Sequence, residues 1–106
     1  MTESRTENQD GTEVCRAYRV HGRVQGVGFR WWTRLAAERL GVRGRVWNLE
    51  SRSVEVHAAG TLTALRSFER VFAKGPPVSR VTSVESIEPG DDLPAVGFHV
   101  DRVDRR

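Results

Sequence analysis

Residues 22–30 read Gly22-Arg23-Val24-Gln25-Gly26-Val27-Gly28-Phe29-Arg30. Glycines at this spacing let backbone N–H groups converge without a Cβ in the way. An amphipathic helical pattern begins at Phe29, so the loop also delivers the unpaired N–H groups and partial positive charge of a helix N-terminus. Arg30 adds a planar fork of donors that fits a phosphate. Together these make an anion cradle for a phosphoryl group, with Gln25, Gly26, Val27, Gly28, Phe29 and Arg30 as the predicted phosphate-binding residues. Asn48, at the end of a predicted strand, supplies a different chemistry. Its carboxamide both donates and accepts hydrogen bonds. Beside a bound phosphate it can hold a water in line with phosphorus, a positioning role.

Each residue has a plainer reading. Alone, Arg30 is a solvated arginine in a first helical turn, and Asn48 is a turn residue at a strand end. A cation at a helix N-terminus is unfavourable without an anion, which counts against the plain reading of Arg30. The loop is not a P-loop, because no Gly-Lys-Ser/Thr follows, and it lacks the dinucleotide-binding glycine spacing. His21, His57 and His99 lack metal-ligand spacing and read as structural or surface residues. Cys15 has no basic cluster to activate it and reads as a quiet thiol.

The elements that must hold these residues follow from periodicity. Val14 to His21 alternates, with Tyr18 and Val20 on one face, and predicts a strand. Phe29, Trp32, Leu35, Ala36 and Leu40 form a helical stripe, with Arg34 and Glu38 outside it and Gly41 as its stop. Arg43–Asn48 is a strand with Val46 inward. Residues 49–53 turn, and Val54, Val56 and Ala58 alternate with Glu55 and His57. Thr61 is an N-cap for a second helix bearing Leu65, Phe68, Val71 and Phe72, which Gly75-Pro76-Pro77 ends. Val78–Ile87 is a fourth strand, and Val96, Phe98 and Val100 form a short last one. The order β-α-β-β-α-β predicts an α+β, ferredoxin-like split βαβ sandwich. Its antiparallel sheet carries both helices on one face, leaves the other open, and has an extra short C-terminal strand.

The chain has 106 residues, 38% of them hydrophobic and 29% charged, which suits one domain with a buried core. Residues 1–12 lack hydrophobic periodicity and read as a disordered tail. The domain is expected over 13–102, with 103–106 as a C-terminal tail. No apolar run is long enough to span a bilayer, and no signal peptide is visible. Cys15 is the only cysteine, so no intrachain disulfide forms and a cytoplasmic location is expected. A net charge of +3 is compatible with small anions or nucleic acid.

The loop closely resembles the first signature of the acylphosphatase family, over Val20-His21-Gly22-Arg23-Val24-Gln25-Gly26-Val27-Gly28-Phe29-Arg30. Gly44-Arg45-Val46-Trp47-Asn48, with Val54 and Gly60, is similar to the second. Gly75-Pro76-Pro77 with Arg80-Val81 resembles the family's link into the fourth strand. The resemblance covers residues 14–101. It implies a monomeric enzyme that hydrolyses the carboxyl–phosphate bond of small acyl phosphates with no metal or cofactor. By that resemblance Arg30 holds the phosphate, Asn48 orients the water, and a phosphate oxygen of the substrate takes the water's proton. The second motif departs from the family in three places. Arg45 and Trp47 stand where an aromatic and a basic residue are usual, so the pair is exchanged on one sheet face. Arg52 replaces a turn glycine. If that site needs positive φ, the replacement costs roughly 1–2 kcal/mol.

Two rival readings come from other classes. One is a catalytically silent acylphosphatase-like domain that binds anions or partners, suggested by Arg52. The other is a nucleic-acid-binding ferredoxin-like module, suggested by Arg45 and Trp47 on the open face. The third strand, Val54-Glu55-Val56-His57, lacks the aromatics of an RNA-recognition sheet, so no nucleic-acid partner is expected.

Overall fold

The computed structural model describes residues 11–106. Residues 1–10 of the tail expected over 1–12 lie outside them. The elements run β1 (Glu13–Arg23), α1 (Phe29–Leu40), β2 (Arg43–Asn48), β3 (Val54–Thr61), α2 (Leu62–Lys74), β4 (Arg80–Ile87) and β5 (Phe98–Val100). They form one sheet in the order β4-β1-β3-β2-β5. The four long strands pair antiparallel, giving the expected ferredoxin-like α+β fold. The extra strand β5 lies parallel to β2, so the sheet is mixed at that edge.

Strand alternation builds the core. Val20 faces Val54 across β1–β3, and Val46 faces Val56 across β2–β3. All four side chains are fully buried. Helix α2 lays Leu65, Phe68 and Phe72 on this layer. Phe68 and Phe72 meet edge to face at 4.9 Å, and Phe98 of β5 meets Phe68 at 5.7 Å. This aromatic row fastens the short last strand to the core. Thr61 caps α2 as expected, its side chain accepting from the Ala64 N–H at 3.1 Å. Gly75 ends the helix with its N–H on the Val71 carbonyl.

Helix α1 is rotated from the expected stripe. Its buried residues are Phe29, Thr33, Ala36 and Ala37, whereas Leu35 is 46% exposed. Small side chains let the helix approach its neighbours closely, and that selects the Thr33-Ala37 side over the bulkier Leu35 side. Two strand starts also move inward. Val78 and Val96 are exposed, and their strands begin at Arg80 and Phe98.

The second sheet face is covered more than alternation suggests. Glu55 and His57, expected on an open face, are buried. Glu55 accepts from Arg19 Nη2 at 2.6 Å and pairs with His57 Nε2 at 3.0 Å. The Gly90 N–H donates to His57 Nδ1 at 3.1 Å, so the β4–β5 loop folds over this face. Burial alone would push the Glu55 carboxyl up. The hydrogen bonds from Arg19 and His57, with the Arg19 charge, outweigh it and hold the carboxyl below its ordinary value.

The chain after β5 is tied down. The Asp101 N–H donates to the Val46 carbonyl at 2.9 Å, and the Arg105 N–H to the Asn48 carbonyl at 2.8 Å. The Glu50 N–H donates to the Arg105 carbonyl at 2.7 Å. The expected boundary at residue 102 therefore falls inside a segment that pairs with β2 and the turn beyond it.

Candidate active site

The loop after β1 starts from a bulge at His21/Gly22. Gly22 has φ 126°, and a Cβ there would sit 2.1 Å from the Arg80 carbonyl oxygen. Only glycine fits, and the root of the loop is thereby pressed against β4. Gly26 and Gly28 have φ 74° and 79°, the left-handed region that glycine enters at least cost. Gly28 is the N-cap of α1, no side chain caps that helix, and its first turn holds no acidic residue. The helix therefore presents uncapped N–H groups with no charge to neutralise them.

Arg30 stands in that first turn, half-buried, and its Nη1 donates to the Asp101 carbonyl at 2.7 Å. Asn48 is the last residue of β2 and is only 8% exposed. Its Oδ1 is buried with no hydrogen-bond partner among the described residues. Gly26, Gly28, Phe29, Arg30 and Asn48 line one cleft of about 550 Å³. The structure thus brings together the loop, the arginine and the carboxamide that the sequence places apart. A buried acceptor left unpaired carries a real desolvation cost. Asn48 itself lines a polar cleft, so an unpaired acceptor lies next to the space a ligand would fill.

Two predicted cradle residues do something else with their side chains. Val27 packs against the core. The Gln25 Nε2 donates to the Leu49 carbonyl at 2.8 Å and the Ser53 carbonyl at 2.9 Å. These carbonyls belong to the β2–β3 turn, which closes through Leu49 N–H to Ser53 O at 2.8 Å and Arg52 N–H to Leu49 O at 3.0 Å. Arg52 is in the left-handed region at φ 84°. The turn keeps the shape that a glycine would favour, and the arginine adopts it. Ser53 Oγ also meets His21 Nδ1 at 2.8 Å. Asn48 is thus held by two contacts: Gln25 clamps the turn after it, and the Arg105 N–H holds its carbonyl.

The cleft also contains residues to which the sequence reading gave no part in the site. Trp31, Arg34, His99 and Arg102 line it, and among the described residues no Asp or Glu does. Arg34 had a usable signal. It follows Arg30 by four residues on a helix and so shares its face. Arg102 and His99 had none, because only the parallel pairing of β5 with β2 carries them to this edge.

The exchanged pair is resolved differently from expectation. Trp47 is buried, stacks on His57 at 4.7 Å, and lies under the Arg105 guanidinium at 3.9 Å. Its cation is Arg105, and Arg45 instead lies 3.8 Å from Asp101. Trp47 is therefore not available to stack a base, which removes the main support for an RNA-binding face. Among the described residues no group of His, Cys, Asp and Glu could hold a metal ion. No described helix is long and apolar enough to cross a membrane.

The acylphosphatase family model matches residues 16–100, a span that contains the loop, Arg30 and Asn48. The chain belongs to the acylphosphatase family. A Koribacter versatilis acylphosphatase is 40% identical over 90 residues, covering 85% of this chain and 82% of that one. One from Thermotoga maritima is 54% identical over 66 residues, covering 62% and 73%. The crystal structure of acylphosphatase from Bacillus subtilis matches with a TM-score of 0.75 at 33% identity, over 85% of this chain and 99% of that one. An acylphosphatase structure from Coxiella burnetii gives 0.74 at 34%, over 91% and 99%.

Proposed function

We propose that this chain hydrolyses small acyl phosphates, with Arg30 and the loop from Gln25 to Arg30 holding the phosphoryl group and Asn48 positioning the water. Family membership supports the activity. What supports the residue roles is that Asn48, whose Oδ1 is buried and unpartnered among the described residues, lines the same cleft as Arg30.

The phosphoryl oxygens sit against the uncapped N-terminus of α1 and the Arg30 fork. Asp101 holds Arg30 through its carbonyl, so the guanidinium is fixed before substrate arrives. Asn48 Oδ1 accepts a hydrogen bond from a water and fixes its lone pair toward phosphorus. The water oxygen bonds to phosphorus as the bond to the acyl oxygen breaks, and the carboxylate leaves with that electron pair. The water's proton passes to a phosphoryl oxygen, since no carboxylate among the described residues lines the cleft to take it. Charge developing on the phosphoryl oxygens meets donors already in place. We read the protein as a cytoplasmic monomer, and its single exposed thiol, Cys15, suits a reducing compartment.

The test is hydrolysis of acetyl phosphate with chelator present, for wild type, Arg30→Ala and Asn48→Ala. Each substitution is expected to lower kcat by about 10²–10³, the usual worth of one preorganised hydrogen-bonding group. An inactive, folded wild type refutes the activity. Three equal rates refute the residue roles, and dependence on added metal refutes the cofactor-free chemistry.

A further inference from the structure

The cleft carries more positive charge than a phosphoryl group uses. Arg30 and the α1 N-terminus suffice for a phosphoryl group of about two negative charges. Arg34 and Arg102 remain on the same lining, to which no Asp or Glu among the described residues contributes. Arg34 lies with its guanidinium 4.8 Å from the Trp31 ring centroid. Trp31 is half exposed, so it forms a wall that carries the arginine rather than a core residue. The other partner of Arg34 is Glu38 at 3.0 Å, and both side chains are well exposed. A surface pair of this kind is weak and yields readily to a better anion. The carboxylate nearest along the chain, that of Asp101, pairs with Arg105 and Arg45 instead. It does not neutralise the cleft.

We infer that the preferred substrates are acyl phosphates whose acyl half carries its own anionic group, read by Arg34 and Arg102. This rests on the acyl phosphatase reading of the same cleft. The shared chemistry is an oxyanion, carboxylate or phosphate, on the acyl chain. A planar guanidinium fork suits either. A cleft lined by one sign of charge also raises the local concentration of a doubly charged substrate, an effect that salt screens.

The experiment compares kcat/KM for succinyl phosphate, whose acyl half ends in a carboxylate, with acetyl phosphate, whose acyl half is neutral. The expected ratio at low ionic strength is about tenfold in favour of succinyl phosphate. Arg34→Gln and Arg102→Gln should each cut that ratio about threefold, and the double variant should bring it close to one. High salt should shrink it in wild type. Arg66→Gln removes the same charge from an exposed position of α2 outside the cleft, and should leave the ratio intact. Acetyl phosphate hydrolysed as well as succinyl phosphate would overturn the inference and leave the enzyme reading standing. So would a preference that survives the double variant, or one lost equally in Arg66→Gln. Hydrolysis of neither substrate would remove the enzyme reading, and this inference with it.

Discussion

The Gln25 side chain donates through one nitrogen to two carbonyls, Leu49 at 2.8 Å and Ser53 at 2.9 Å. A residue of the loop after β1 thereby fixes the turn that follows Asn48. The two halves of the proposed site, loop and water positioner, are joined by one carboxamide. Gln25→Ala removes both bonds and leaves two part-buried carbonyls without that donor. The expected cost is about 1–3 kcal/mol of stability, read from urea unfolding. If the clamp aims Asn48, kcat for acetyl phosphate should also fall about tenfold while KM changes less, the signature of an interaction that matters in the transition state. A variant that loses stability but keeps kcat would show that Asn48 is aimed without Gln25.

Arg52 holds φ at 84° on an exposed turn. A side chain in that region costs roughly 1–2 kcal/mol, and glycine returns about 0.5–1 of this as extra chain entropy on folding. Arg52→Gly should therefore stabilise the protein by about 0.5–1 kcal/mol, seen as a higher urea midpoint at unchanged slope. Its activity should match wild type, because the turn already has its shape and Gln25 already holds it. A destabilised Arg52→Gly would mean that the Arg52 side chain makes a contribution larger than its strain.

The Arg105 guanidinium covers a buried Trp47 at 3.9 Å, and a second bond ties it to the Asp101 carboxylate at 2.5 Å. Asp101 in turn supplies the carbonyl that holds Arg30. Arg105→Ala should cost about 1–2 kcal/mol through the lost cation–π contact and packing, and should shift tryptophan fluorescence to the red. Arg105→Lys should recover part of the loss. An Arg105→Ala protein as stable as wild type, with unshifted emission, would rule the contact out as a determinant.

The sequence revealed most where chemistry is local. Gly28 and Gly41 bound α1 because each supplies a left-handed turn, and glycine is the residue for that. Thr61 caps α2 for an equally local reason. The loop could be read as an anion cradle because its parts are contiguous. What stayed hidden depends on distant pairing. Glu55 and His57 look like solvated positions in strand alternation, and are buried because the β4–β5 loop crosses them. Arg105 looks like a tail residue, and becomes the cover of Trp47 because β5 runs parallel to β2. Gln25 looks like a ligand for phosphate, and its side chain turns instead to carbonyls more than twenty residues away.

The buried Glu55 also makes a prediction about acid. Burial raises its carboxyl, but Arg19 and His57 lower it further, and the balance lies below the ordinary value. A carboxyl depressed in the folded state contributes stability that is complete above its unfolded value, about pH 4.3. That contribution is lost as pH falls through the lower folded value. Stability should therefore drop as pH is lowered below about 4.3, with Arg19 and His57 losing their acceptor. The Glu13 carboxyl, lowered by its hydrogen bond to Arg43, adds a parallel loss from the surface. Glu55→Gln should be less stable than wild type at neutral pH, because it breaks the Arg19 pair, yet its stability should fall less steeply in this acid window. Urea midpoints taken from pH 7 to pH 3 for both proteins give the slopes. Parallel slopes would assign the acid sensitivity to Glu13 and other carboxylates, and would show that Glu55 titrates alike in the folded and unfolded chain.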